Sequence, residues 1–235
     1  VLVLISMCLL VCHTAKAQIT QKKVFKTNPV HSLAIANSSV MYSSDGQVYT
    51  VVNYPAAPSL TGVTKLAMNP ARSSYAAMTK KHVDIYSYNT EDKRLYHLKE
   101  VRDIKAKPTP VAMCYSPDSR IFLLSNSLGE IVVYSTRDYI PAAYIQTESP
   151  ASYLEMSSNN RFIAAAMGTK VVLYNFETHE IRTTLEFDAP VTGIAFSSDA
   201  TELADVKGDV EFKNVKFGYD KDKTIIHNLN LKADA

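Results

Sequence analysis

Cysteine is scarce in this chain. Three of its 235 residues are cysteine, and two of them, Cys8 and Cys12, lie in the first apolar run. Cys114 stands alone in the body, which excludes an internal disulfide framework and a four-cysteine zinc site. It sits in the alternating run Val111–Tyr115, where a buried structural thiol is the expected role. Tryptophan is absent altogether. Excess charge is small: the formal net charge is +2, and the basic pairs Lys22-Lys23 and Lys80-Lys81 build no concentrated basic face. No nucleic-acid partner is therefore expected. The six histidines are scattered at His13, His31, His82, His97, His179 and His227, with no HExxH spacing. There is no Gly-x-Ser-x-Gly elbow and no clustered carboxylate pair. No complete catalytic motif is present, so neither an enzyme nor a cofactor is expected.

Long hydrophobic runs are equally rare. Val1–Val11 (VLVLISMCLLV) is the one, and it falls short of the about 20 apolar residues that a spanning helix needs. Ala15-Lys16-Ala17 follows as a small-x-small pattern, so residues 1–17 read as a bacterial secretory signal peptide cleaved after Ala17. The run has no initiating Met and no basic leader, so the gene product is expected to begin upstream. The alternatives are an uncleaved anchor and a lipoprotein at Cys12, where Val11 replaces the small residue a lipobox wants. The expected location is the periplasm or cell surface, with no stable membrane insertion once the signal is removed.

What the chain does have is repetition. Thr109–Thr136 (TPVAMCYSPDSRIFLLSNSLGEIVVYST) returns as SPASYLEMSSNNRFIAAAMGTKVVLYNF at Ser149–Phe176, and its opening returns at Ala189–Ala204. A looser copy occupies Gly62–Tyr88. The turn residues Asp118, Asn159 and Asp199 are spaced by 41 and 40, and the tyrosines Tyr86, Tyr134 and Tyr174 by 48 and 40. The longer interval fits an insertion at Asn89–Lys107. A period near 40 with several short strands per unit is the pattern of a propeller blade. Each unit reads as an alternating strand and a Ser-Pro-Asp or Ser-Ser-Asn turn, then a small apolar strand (Ile121–Leu124, Phe162–Ala166). A Gly turn, a β-branched strand (Ile131–Tyr134, Val171–Tyr174) and a polar outer strand (Ala142–Gln146, Ile181–Phe187) complete it. An N-terminal unit is marked by Ser32–Ala36, Val40–Tyr42 and Gln47–Asn53, and Lys23–Lys26 by a further short strand. The third strands are apolar on both faces, as a strand sandwiched between blades must be.

SPDSRIFLLSNSLGEIVVYST is similar to the SPDGxxLAxxxxDGxIxVWD pattern of the WD40/YVTN-like propeller family, over about residues 32–204. Tyr134-Ser135 and Tyr174-Asn175 stand where that family places Trp-Asp. With no tryptophan and no Gly-His pair, the family's Asp-His-Ser-Trp network is missing, which points to a divergent bacterial member. The resemblance implies an incomplete, open all-β propeller of about four blades, not a closed ring: three good units, one partial at the N-terminus and one broken at the C-terminus.

The tail is different in kind. DVKGDVEFKNVKFGYDKDKTIIHNLNLKADA, residues 205–235, resembles the first strands of an ABC transporter ATP-binding domain. Gly208, Val210, Phe212, Asn214, Val215, Phe217, Tyr219, Ile226 and Leu229–Leu231 fall on its pattern. The resemblance implies an adenine-stacking position at Tyr219. The phosphate-cradling Gly-x-x-x-x-Gly-Lys-Ser/Thr loop does not occur in the 235 residues, so no hydrolysis by that route is expected of them. A joined reading frame near Ala204–Gly208 and a genuine hairpin both fit the segment.

The functional expectation is an exported, non-enzymatic propeller (18–204) that meets an unknown protein or ligand through its loops. Asp118, Arg120, Asn159, Arg161 and Asp199 form the candidate binding face, although a turn role suits Asp118, Asn159 and Asp199. The alternatives are a lactonase- or quinoprotein-like propeller enzyme and part of an ABC transporter subunit.

Overall fold

The computed structural model describes residues 29–36, 39–44, 47–50, 62–71, 74–89, 94–101, 108–197, 203–205, 210–217 and 226–233. Lys23–Lys26, the signal segment, Asp199, Tyr219 and most of the 204/205 junction region lie outside them. No helix occurs among the described residues, and the fold is all-β.

Four antiparallel sheets make the blades of a propeller. Blade 1 is β1 (Val30–Ala36), β2 (Ser39–Ser44) and β3 (Gln47–Thr50). Blade 2 is β4 (Lys65–Met68), β5 (Ser74–Met78), β6 (Val83–Asn89) and β7 (Arg94–Val101). Blade 3 is β8 (Pro110–Tyr115), β9 (Ile121–Asn126), β10 (Glu130–Ser135) and β11 (Pro141–Gln146). Blade 4 is β12 (Tyr153–Met156), β13 (Phe162–Met167), β14 (Lys170–Asn175) and β15 (Ile181–Glu186). A shorter pair, β16 (Ile194–Phe196) and β17 (Leu203–Asp205), follows at the fifth position. Within each sheet, every strand pairs with its sequence neighbours, as hairpin connections dictate. The first strands pack against one another in the order β1, β4, β8, β12, β16 and so lie innermost, and among the described residues no seam of comparable extent joins β16 back to β1. The propeller is therefore open. One strand was hidden from the repeat pattern: β7 lies in the middle of the Asn89–Lys107 stretch expected to be an insertion. It is an ordinary fourth strand, with Val83 opposite Val101 and Ile85 opposite Lys99.

Each seam between blades is a separate core. Leu66, Tyr75 and Ala77 pack against blade 1 through Ala34, Met41 and Val48. Ala76, Met78 and Ile85 meet Phe122, Leu124, Val132 and Tyr134 across blades 2 and 3. Leu123, Ile131 and Val133 meet Ile163, Ala165, Val172 and Tyr174 across blades 3 and 4. Alternation along each strand sends successive residues to opposite seams, so both faces of β9, β10, β13 and β14 are apolar. The second strand of blade 4, FIAAAM, is fully covered at Ala164, Ala165 and Ala166. Small side chains there let neighbouring sheets close up without voids. Fourth strands face solvent, and all six residues of β15 are exposed.

One irregularity recurs. Leu173 pairs with Thr183 but Tyr174 pairs with Ile181, leaving Arg182 as an extra residue in β15. The same skip leaves Ala142 extra in β11, opposite Val133 and Tyr134, and Leu98 extra in β7, opposite Ile85 and Tyr86. Blades 2, 3 and 4 thus each carry a β-bulge in the fourth strand beside the third-strand tyrosine, and a bulge re-aims the side chain it inserts.

The chain divides into two compact units, and Val30–Asp205 are the first. In the second, β18 (Val210–Phe217) and β19 (Ile226–Ala233) form an antiparallel hairpin, with Val210 opposite Ala233 and Phe217 opposite Ile226.

Ala165→Leu is expected to cost about 1–3 kcal/mol by overpacking the blade 3–4 seam. Ile181→Ala, at 60% exposure on β15, stays within about 0.5 kcal/mol. Urea unfolding of the two variants checks the ranking, and equal losses would mean that the seams are not packed as described.

Candidate functional site

The turns between first and second strands are built from their own side chains. In blade 3, Ser116 Oγ donates to Asp118 Oδ1 (2.6 Å), Arg120 N–H donates to the same oxygen (3.1 Å), and Ile121 N–H donates to Ser116 Oγ (2.9 Å). Blade 4 repeats the set: Ser157 Oγ to Asn159 Oδ1 (2.8 Å), Arg161 N–H to Asn159 Oδ1 (3.0 Å) and Phe162 N–H to Ser157 Oγ (2.9 Å). Ser119 (φ 65°) and Asn160 (φ 57°) take the left-handed conformation that closes each turn. Asp118 and Asn159 thus use their acceptor oxygens within the turns. The guanidinium groups of Arg120 and Arg161 are what these turns present outward; Arg120 is 85% exposed, with Nε 3.9 Å from Asp118 Oδ2. Ser119, between the candidate residues Asp118 and Arg120, ties two blades together. Its Oγ accepts from Ala71 N–H of blade 2 (2.8 Å), and its carbonyl accepts from Thr136 Oγ (2.7 Å).

The axis carries a second group that the repeat pattern did not flag. Lys65 of β4 is half-buried, and its Nζ donates to the carbonyls of Val111 (2.9 Å) and Ser152 (2.8 Å), on the next two blades. The ring of Tyr153 lies 5.2 Å from the same Nζ. Burial holds the Lys65 ammonium below the usual lysine range. Glu155 of β12 is also half-buried, and burial raises its carboxyl; Phe196 N–H, 3.4 Å from Oε1, opposes that rise. Cys114 packs against the blade 3–4 core. Burial pushes its thiol up, and the Glu155 charge adds to the effect, so it stays protonated at neutral pH. The signal for this group was legible: Lys65 and Glu155 are the charged residues of KLAM and YLEM, strands that otherwise face packed seams.

On blade 2 the fold gathers two histidines that lie apart in sequence. His82 Nε2–H donates to Asp84 Oδ2 and His97 Nε2–H to Oδ1, both at 2.9 Å. Tyr86 meets the His97 ring edge-on at 5.3 Å. Burial, with the Asp84 charge beside it, pushes the Tyr86 hydroxyl up to about 12. Among the described residues no cluster of three or more His, Cys, Asp or Glu has metal-ligand geometry.

Two clefts open at the turn end, at equivalent places on their blades. One, of about 450 Å³, lies between blades 2 and 3, where Ser74, Ser87, Leu98 and Lys99 face the turn Thr136–Tyr139. Lys99 Nζ donates there to the Asp138 carbonyl. The other, of about 690 Å³, is formed by blade 4 and includes Asn160, Arg161, Phe162, Asn175 and Arg182. Arg182, absent from any motif read in the sequence, is the bulge residue.

No protein-family model matches the chain, and no curated protein matches it.

The axial carboxyl gives a pH prediction. Because the folded state raises Glu155 above its unfolded value of about 4.3, the burial penalty is absent while the group is protonated. It grows as pH rises through the window that starts there and ends at the higher folded value. Glu155→Gln keeps an acceptor for Phe196 N–H and removes the penalty. It is expected to stabilise the protein at pH 7 by less than about 1 kcal/mol, given solvent screening, and to leave stability unchanged below about pH 4. Paired denaturation curves at pH 3.5 and 7 measure this, and a loss at pH 7 would refute it.

Proposed function

We propose that the chain is a non-enzymatic β-propeller that serves as an exported interaction scaffold, and that its partner is met at the turn end of blades 3 and 4. The observation that carries this is the pair of self-locked turns, Ser116–Arg120 and Ser157–Arg161. Each projects an arginine from a backbone fixed by three internal hydrogen bonds. Preorganised side chains on loops lose little entropy on binding, which is how rigid scaffolds present recognition groups. The same two turns favour kinship with divergent WD40/YVTN-like propellers. A non-catalytic role is supported by the use made of the displaced titratable group Lys65, which holds three blades together. Export is supported by the Val1–Val11 run and the Ala15-Lys16-Ala17 pattern behind it.

Photo-crosslinking residues placed at positions 120 and 161 are expected to trap a partner in cell-envelope extracts, while residues placed at Lys80 and Lys81 trap none. Equal labelling from both pairs would sink the turn-end assignment. Mass spectrometry of the envelope fraction is expected to find a mature N-terminus at Gln18. Recovery of the protein only in the cytosol, with Val1–Val11 intact, would end the export reading.

A further inference from the structure

The blade 4 cleft differs from its blade 2 counterpart in chemistry, not in construction. Both lie beside the fourth-strand bulge, which places Leu98 in one and Arg182 in the other. In blade 2 the bulge residue is apolar, and the neighbouring blade's turn faces it. In blade 4 the bulge adds a second guanidinium to that of Arg161. Guanidinium groups stay charged at every working pH, so two of them lining one cleft draw an anion to it. Among the described residues neither has an ion-pair partner. Glu177, on the cleft wall, leaves a net charge of one, which suits a monoanion better than a phosphate dianion.

The remaining polar groups narrow the ligand further. Asn175 Oδ1 accepts from the N–H groups of Glu177 (2.9 Å) and Thr178 (3.0 Å), so its amide has donors left to offer. Asn160 Oδ1 is enclosed and has no hydrogen-bond partner among the described residues. A buried acceptor left unmade is costly, and it calls for a donor. Phe162 supplies an apolar wall. The planar fork of arginine matches a carboxylate, and an N–H beside that carboxylate would satisfy Asn160 once its side chain turns the enclosed Oδ1 toward the cleft.

We infer that this cleft binds a carboxylate adjacent to an N–H group: the chemistry of a free or N-acylated α-amino acid, or of a peptide C-terminus. The inference rests on the turn-end reading above and gives that face its ligand class.

The test is calorimetric titration of the full chain with N-acetyl-L-phenylalanine, N-acetyl-L-phenylalaninamide, L-phenylalanine, inorganic phosphate, and one hexapeptide with a free or amidated C-terminus. Arginine Nε–H shifts are followed by NMR. The carboxylates are expected to bind saturably and to move the Arg161 and Arg182 signals, with the matched amides weaker by about tenfold or more. Arg182→Met is expected to weaken binding by a similar factor, and Lys80→Met, which removes a cation away from the turn end, to leave it unchanged; unfolding midpoints confirm that both variants are folded. Tighter binding of the free-ended peptide than of the single residues identifies a chain terminus as the source, and the reverse order a small metabolite. The inference is overturned if amide and acid bind alike, if phosphate matches the carboxylates, if Arg182→Met has no effect, or if no carboxylate saturates. Crosslinking from position 120 that persists when carboxylate binding fails would remove the cleft while leaving the turn-end scaffold standing.

Discussion

A sheet that is apolar on both faces has to be covered on both, and that constraint organises this molecule. Val132 and Tyr134 of β10 pack toward blade 2 while Ile131 and Val133 pack toward blade 4. No single blade can satisfy both sets. Stacking blades side by side does, with the inner strands brought together about an axis. Once the seams are dry, the ends of the strands become the only places where polar chemistry is cheap. The locked turns and the clefts sit there for that reason.

The axis shows how a charge is tolerated in such a structure. Lys65 lies where desolvation disfavours an ammonium, yet it meets two backbone carbonyls and an aromatic face beside them. Inner strands have one unpaired edge, and a lysine that reaches across satisfies part of it. The contact is as much a solution to the edge problem as a use of charge. The blade 2 group His82–Asp84–His97 does comparable work at the far end of its sheet, joining the third strand to the fourth.

The repeat made much of this legible. The spacing of Asp118 and Asn159 located two turns, and the small and β-branched runs located second and third strands to within about two residues. The fourth strands of blades 3 and 4 were legible as polar runs, and that of blade 2 was not. RLYHLKEV passed for an insertion because an outermost strand faces water and need not alternate, as the wholly exposed β15 also illustrates. The bulges were invisible, since a skipped residue changes pairing and not composition. Arg182 therefore looked like any exposed arginine until the register of Tyr174 with Ile181 showed it to be the inserted residue. Lys65 and Glu155 were in plain view as charges in apolar strands, but only the curvature of the blades reveals what they reach.

The Lys65 contact also sets a timetable. Its first acceptor, Val111, lies 46 residues downstream, and its second, Ser152, lies 87. At ribosomal speeds of 5–20 residues per second, the second acceptor is made roughly 4 to 17 s after the lysine. Blades 1 and 2 thus emerge with an ammonium at their inner edge that cannot complete its bonds until all of blade 3 and the entry to blade 4 exist. During synthesis, the axis of this propeller is the last part to know that assembly has succeeded.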